Sequence, residues 1–196
     1  MDRRIASVQR TTDETEISVE LDLDGDDAVE CVTGIGFLNH LLETLALHGS
    51  FQLELICGGD LHIDDHHTAE DCAIALGRAF DEALGDRRGI NRFGHGYAPL
   101  DEALARAVID FSGRPHAEVN LGLEGYRLGE LATENVSHVI RSFAMNANAT
   151  VHVDVLRGAN DHHRAEAAFK ALALAIRQAV VLTDRETVAS TKGTLE

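Results

Sequence analysis

The feature that most constrains this chain is that it repeats itself. DHHTAEDCAIALGRAF (Asp65 to Phe80) lies over DHHRAEAAFKALALAI (Asp161 to Ile176), and five of the first six positions agree. Upstream, FQLELICGGD lies over VHVDVLRGAN, matching Gly58 with Gly158, and ISVELDLDG (Ile17 to Gly25) lies over AEVNLGLEG (Ala117 to Gly125). Three words in the same order, at an offset of 96 to 100 residues, mark a duplication of about half the chain. In that register Glu14 falls on Arg114, so one corner reads as acidic and its counterpart as basic.

Each half then predicts the same elements. IASVQRT and ISVELDL alternate with period two, as half-buried strands do. GFLNHLLETLALHG switches to helical spacing, FQLELI is a third strand, and DHHTAEDCAIALGRAFDEAL is a long helix that Asp64 or Asp65 can cap. The second half gives LARAVIDF, HAEVNLGL, NVSHVIRSFAMNA, TVHVDVL and NDHHRAEAAFKALALAIRQAVVL. The expected fold is α+β: two ββαβα units related by a pseudo-twofold, their sheets covered by helices on one face. The halves span 1–87 and 99–196 within one two-repeat domain, and 88–98 is a glycine-rich connector without apolar period, with His95 in a flexible loop.

Composition narrows the function. A net charge of −16 argues against nucleic acid and anionic membrane as partners, because both need a basic footprint. No apolar run approaches the roughly 20 residues of a membrane span, and MDRRIASVQRTTDETEIS lacks a signal-peptide core, so a soluble cytoplasmic protein is expected. Cys31, Cys57 and Cys72 show no CxxC spacing and read as reduced, packing residues.

The histidines carry the chemistry. His66 and Glu70 stand at i, i+4 and His67 and Glu70 at i, i+3, as do His162, His163 and Glu166, so each set can share a helix face. Adjacent histidines point about 100° apart and can serve two different ions. His40 lies over His138 in the preceding helix, which gives each half a histidine followed by His-His-x-x-Glu. Imidazole and carboxylate without thiolate suit manganese, iron or zinc. His62, His116 and His152 read as surface residues, and His48 ends a helix, where a cation complements the dipole. Arg92, Arg114 and Lys192 of STKG are the positive island an anionic group such as phosphate needs.

RTTDETEI, LDLDG, GIGFLNHLLETLALHG, DHHTAED, GINRFG, PLDEALARAVIDFSGRP, NVSHVIRSF, GANDHHRAEAAFKALA and STKG together resemble the imidazoleglycerol-phosphate dehydratase family of histidine biosynthesis. The resemblance implies two Mn2+ ions per active site, with His40, His66, His67, Glu70, His138, His162, His163 and Glu166 as ligands. It implies a homo-oligomer of 24 subunits with active sites between neighbouring chains. Substrate contacts would come from Glu14, His40, His48, His66, His67, Glu70, Arg92, Arg114, His162, His163, Glu166, Ser190, Thr191 and Lys192. Glu14, His67, Glu70, His163 and Glu166 would carry the chemistry.

The implied reaction takes water from imidazole glycerol phosphate to give imidazole acetol phosphate. It breaks a C–H bond that no carbonyl activates, so the ring must supply electrons. Two ions at the two ring nitrogens would stabilise an imidazolate, and loss of the hydroxyl next to the ring would give a diazafulvene-like intermediate. A carboxylate base, expected to be Glu14, would then take the neighbouring proton. The residues alone also leave room for a dinuclear metallohydrolase and for a metal-storage or scaffold oligomer.

Overall fold

Strands β1 (Ile5–Thr11) and β2 (Thr15–Asp22) form where the alternation predicts them, paired antiparallel with Val8 opposite Val19. Ala6, Val8, Ile17, Val19 and Leu21 are buried on one face of the pair, while Ser7, Gln9 and Glu20 stay at least partly in solvent. The computed structural model describes residues 3–26 and 28–195. Strand β3 (Val29–Val32), helix α1 (Gly36–Gly49), strand β4 (Gln52–Gly59) and helix α2 (His66–Leu84) complete the first half, with sheet order β1-β2-β4-β3. Helix α1 ends at Ser50 in the left-handed region (φ 54) and α2 at Gly85 (φ 51), both satisfying terminal carbonyls. The side chain of Asp64, not Asp65, holds the start of α2, accepting from the His66 N–H at 2.8 Å.

The second half repeats the plan with β5 (Phe93–Leu100), β6 (Ala103–Asp110), β7 (His116–Asn120), a hairpin of β8 (Arg127–Leu128) and β9 (Leu131–Ala132), α3 (Thr133–Asn146), β10 (Thr150–Arg157) and α4 (Asp161–Ala179). Its sheet order, β5-β6-β10-β7, matches the first. The duplicated α+β plan therefore stands, with a third strand ahead of the first helix in each half. Residues 93–98 of the expected connector are strand, and His95 is an exposed strand residue. The inward face of β5 is written in Gly94, Gly96 and Ala98, so it leaves no hydropathy period to read.

Those glycines are needed because α4 lies directly on the strand. A Cβ at Gly94 would sit 1.8 Å from the Ala175 carbonyl oxygen, and one at Gly96 would sit 2.4 Å from that of Ala171. Gly94→Ala is expected to destabilise the fold by about 3 kcal/mol through forced separation of helix and strand. A denaturation midpoint equal to that of the parent protein would contradict this close approach.

The helices form the middle of the molecule, α1 against α4 and α2 against α3, with the first sheet behind α1 and α2 and the second behind α3 and α4. Phe80 meets Phe51 edge-on at 5.1 Å, Phe143 edge-on at 5.3 Å and Phe111 stacked at 6.2 Å, so one aromatic cluster joins both halves. No helix among the described residues is long and apolar enough to cross a membrane. All three cysteines are buried and unpaired.

The topology corrects the repeat register. By its place in the sheet β2 corresponds to β6, not to β7, so Ile17 to Gly25 does not superpose on Ala117 to Gly125. The β8–β9 hairpin is present only in the second half and changes the offset from 88 before it to 98 at the following helix. Glu14, just before β2, therefore corresponds to Glu102, just before β6, and the expected Glu14 and Arg114 pairing is overturned. Half-buried strands all alternate alike, and a register anchored on the helices slipped by one insertion.

Candidate metal centre and basic cavity

Each pair of crossing helices brings together a triad taken from both halves. His40 of α1 meets His162 and Glu166 of α4, and His138 of α3 meets His66 and Glu70 of α2. Within each triad one donor atom per residue lies within 4.8 Å of the others. Glu166 Oε2 is 3.0 Å from His40 Nε2 and 3.1 Å from His162 Nε2. Glu70 divides its oxygens, with Oε1 at 3.0 Å from His138 Nε2 and Oε2 at 4.0 Å from His66 Nε2. Two imidazoles and a carboxylate from one face suit a divalent ion of borderline softness, and three donors leave coordination positions open.

The i, i+4 members of each motif converge; the i, i+3 members do not. His67 and His163 turn away from Glu70 and Glu166. His67 Nδ1–H donates to Asp60 Oδ2 at 3.0 Å, and His163 Nδ1–H donates to Glu102 Oε2 at 2.7 Å. Those hydrogen bonds raise both imidazole pKa values and leave Nε2 as the free ligating nitrogen of the neutral rings. His67 Nε2 also lies 3.6 Å from Glu14 Oε1. The expected divergence of the adjacent histidines is thus realised, but with two residues of each motif in a triad and the third outside it.

Sequence reasoning missed the residues behind the donors. His66 Nδ1–H donates to Asn135 Oδ1 at 3.0 Å, and Asn135 is itself held by Asp65 Oδ2 at 2.9 Å. On the other side Phe37 lies 5.1 Å from the His162 ring, and Lys170 Nζ lies 2.6 Å from Glu166 Oε1. Burial pushes the Glu166 carboxyl up, but Lys170 and His40 outweigh it and bring the pKa down to about 2. His48, half-buried, has its pKa lowered by burial and then by Lys170, so it is a poorer cation than its place at a helix end suggests. A signal for Glu102 was present: Asp13-Glu14 and Asp101-Glu102 are the same word at the corrected offset.

Arg92, Arg114, Ser190, Thr191 and Lys192 do come together, around a cavity of about 570 Å³. Arg92 is buried and fixed: Nε and Nη2 donate to the two Asp110 oxygens at 2.6 and 2.9 Å, and Nη1 donates to the Ala189 carbonyl at 2.7 Å. It thereby ties the C-terminal segment to β6. Among the described residues, none of the six triad side chains lines this cavity.

Two matched triads of candidate metal donors on a duplicated α+β frame are the arrangement that a metal-dependent enzyme calls for. The sequence pattern of imidazoleglycerol-phosphate dehydratase matches residues 33–176. A protein of that name from Candida glabrata is 56% identical over 209 residues, covering 97% of this chain and 100% of its own. One from Phaffia rhodozyma is 55% identical, covering 98% and 96%. The crystal structure of the Staphylococcus aureus dehydratase superposes with a TM-score of 0.83 at 37% identity, over 91% of this chain and 99% of that one. The Pyrococcus furiosus structure gives 0.82 at 34%, over 95% and 99%. The chain belongs to the imidazoleglycerol-phosphate dehydratase family and is a hydro-lyase of histidine biosynthesis.

Proposed function

We propose that this chain converts D-erythro-imidazole glycerol phosphate to imidazole acetol phosphate and water at a site that holds two divalent ions, manganese foremost. The observation that carries the reading is the pair of repeat-related triads. One ion would then serve each nitrogen of an imidazole ring. His40, His162 and Glu166 would hold one ion and His66, Glu70 and His138 the other. Once bound, the ions would supply Lewis acidity at the ring.

His67 and His163 are the remaining donors, and each would complete a triad of a neighbouring copy. Two observations support a site shared between chains, as an assembly of 24 subunits would provide. Both histidines lie outside the triads of their own chain, and the basic cavity is not lined by the triads. Arg114, Ser190, Thr191 and Lys192, steadied by Arg92, would take the phosphate, with His48 at the edge of the site. Glu14, beside His67, would hold and move the proton during dehydration. The unpaired cysteines suit a reducing compartment such as the cytoplasm.

The test is to incubate manganese-loaded protein with imidazole glycerol phosphate and look for the ketone. Ketone formation is the expected result, whereas inorganic phosphate or no turnover overturns the assignment. Chelation with EDTA is expected to abolish turnover and to shrink the particle toward trimers. A chelated particle of unchanged size in sedimentation contradicts the shared site.

A further inference from the structure

The two triads are related by the repeat, yet their surroundings differ in charge. Lys170 lies one helical turn after Glu166 and places Nζ 2.6 Å from Oε1; the position that corresponds to it in α2 is Ile74. Glu166 thus gives one oxygen to an ammonium and offers the other to both His40 and His162. Among the described residues Glu70 has no such cation, and it keeps both oxygens for its histidines. Behind the rings the difference continues. Asn135, nearly fully buried, accepts from His66 Nδ1–H, and the residue in its place in α1 is Phe37, whose ring faces His162 and His40.

Both differences act in the same direction. An ammonium beside a ligating carboxylate neutralises part of its charge and repels a cation bound to it. An acceptor on the distal imidazole nitrogen fixes the tautomer and makes the ligating nitrogen more basic, which an aromatic ring does not do. The outlying histidines do not restore the balance, because His67 and His163 each carry a carboxylate on Nδ1. Behind Asn135 stands Asp65, with Arg127 3.4 Å away, so that cation is three hydrogen bonds removed from the ring.

We propose that the two sites fill in order: the His66, Glu70 and His138 site binds its ion first, and Lys170 holds the His40, His162 and Glu166 site at lower affinity. The weaker ion is then the exchangeable one. The inference rests on the two-ion reading above and adds a ranking that the symmetry of the fold does not contain. The expected ratio of dissociation constants is about tenfold to a hundredfold, the usual reach of groups just behind the ligands.

The experiment is a titration of metal-free protein with manganese(II) alone, following the loss of the free-ion electron paramagnetic resonance signal. Two classes in equal number are expected. Lys170→Met, which keeps the length of the side chain, should tighten the weak class by about tenfold and leave the strong one in place. Asn135→Leu should loosen only the strong class, by about tenfold or more. Lys170→Gln serves if the methionine variant does not give a native circular dichroism spectrum. A single class in the parent protein, or two classes that neither Lys170 variant brings together, overturns the ranking. Absence of any bound manganese overturns the two-ion reading beneath it, and is a different result.

Discussion

Glu166→Gln is expected to lower kcat/KM by about 10³-fold or more, with the loss of one bound manganese per chain. The magnitude follows from the several kcal/mol that a Lewis acid contributes to a transition state in which charge develops. The geometry makes Glu166 the most exposed point of failure. Its Oε2 is the shared partner of His40 and His162, so neutralising one carboxylate removes the anionic member of a whole triad. It also leaves Lys170 facing a neutral amide at 2.6 Å from the original oxygen, adding a cation without a counter-charge where the ion should sit. Glu70→Gln should lose the other ion, with a similar loss of turnover. Because both ions would act on one ring, the double variant should be little worse than either single one. Metal analysis together with steady-state rates is the measurement. Two ions retained in Glu166→Gln, with activity within tenfold of the parent, would remove the triad from the mechanism.

How much of this could be read in the chain depends on which physical signal each residue carries. The His66–Glu70 and His162–Glu166 pairs were legible because helix geometry turns i, i+4 spacing into proximity, whereas the crossing of His40 to α4 and of His138 to α2 depends on packing between the halves. Strand β5 was not legible, since Gly94 and Gly96 bury backbone against backbone and leave no apolar side chain to count. The i, i+4 spacing of Lys170 to Glu166 stood on one helix to be read, but Asn135 and Asp60 were missed for a different reason. They act on histidines from other elements, at separations of 69 residues for Asn135 to His66 and 7 for Asp60 to His67. Nothing in local periodicity records such a hydrogen bond. The direction in which His67 and His163 leave the triads likewise depends on Asp60 and Glu102 pulling on Nδ1.

The corrected register changes the argument for Glu14 and gives the second large prediction. Glu14 and Glu102 occupy the same corner of the repeat, so the two halves do not differ there in the sign of charge. They differ in how the carboxylate is held. His163 and the backbone N–H groups of Asn160 and Ala159 all donate to Glu102, and together they keep its carboxyl down at about 2. A group so placed stays ionised near neutral pH and cannot exchange protons usefully with a substrate, since an acid or base works best when its pKa lies near the operating pH. The Glu14 carboxylate is exposed and, among the described residues, meets only His67 Nε2, at 3.6 Å. Glu14→Gln is therefore expected to lower kcat by about 10²- to 10⁴-fold while manganese content and particle size stay as in the parent. Glu102→Gln should act differently, weakening manganese binding through His163. Unchanged turnover in Glu14→Gln with both ions bound would move the proton to another group. Equal behaviour of the two variants in metal content and rate would show that the corner is positional in both halves. In either case the chemistry would have to find its asymmetry at Lys170 and Asn135, where the repeat also breaks.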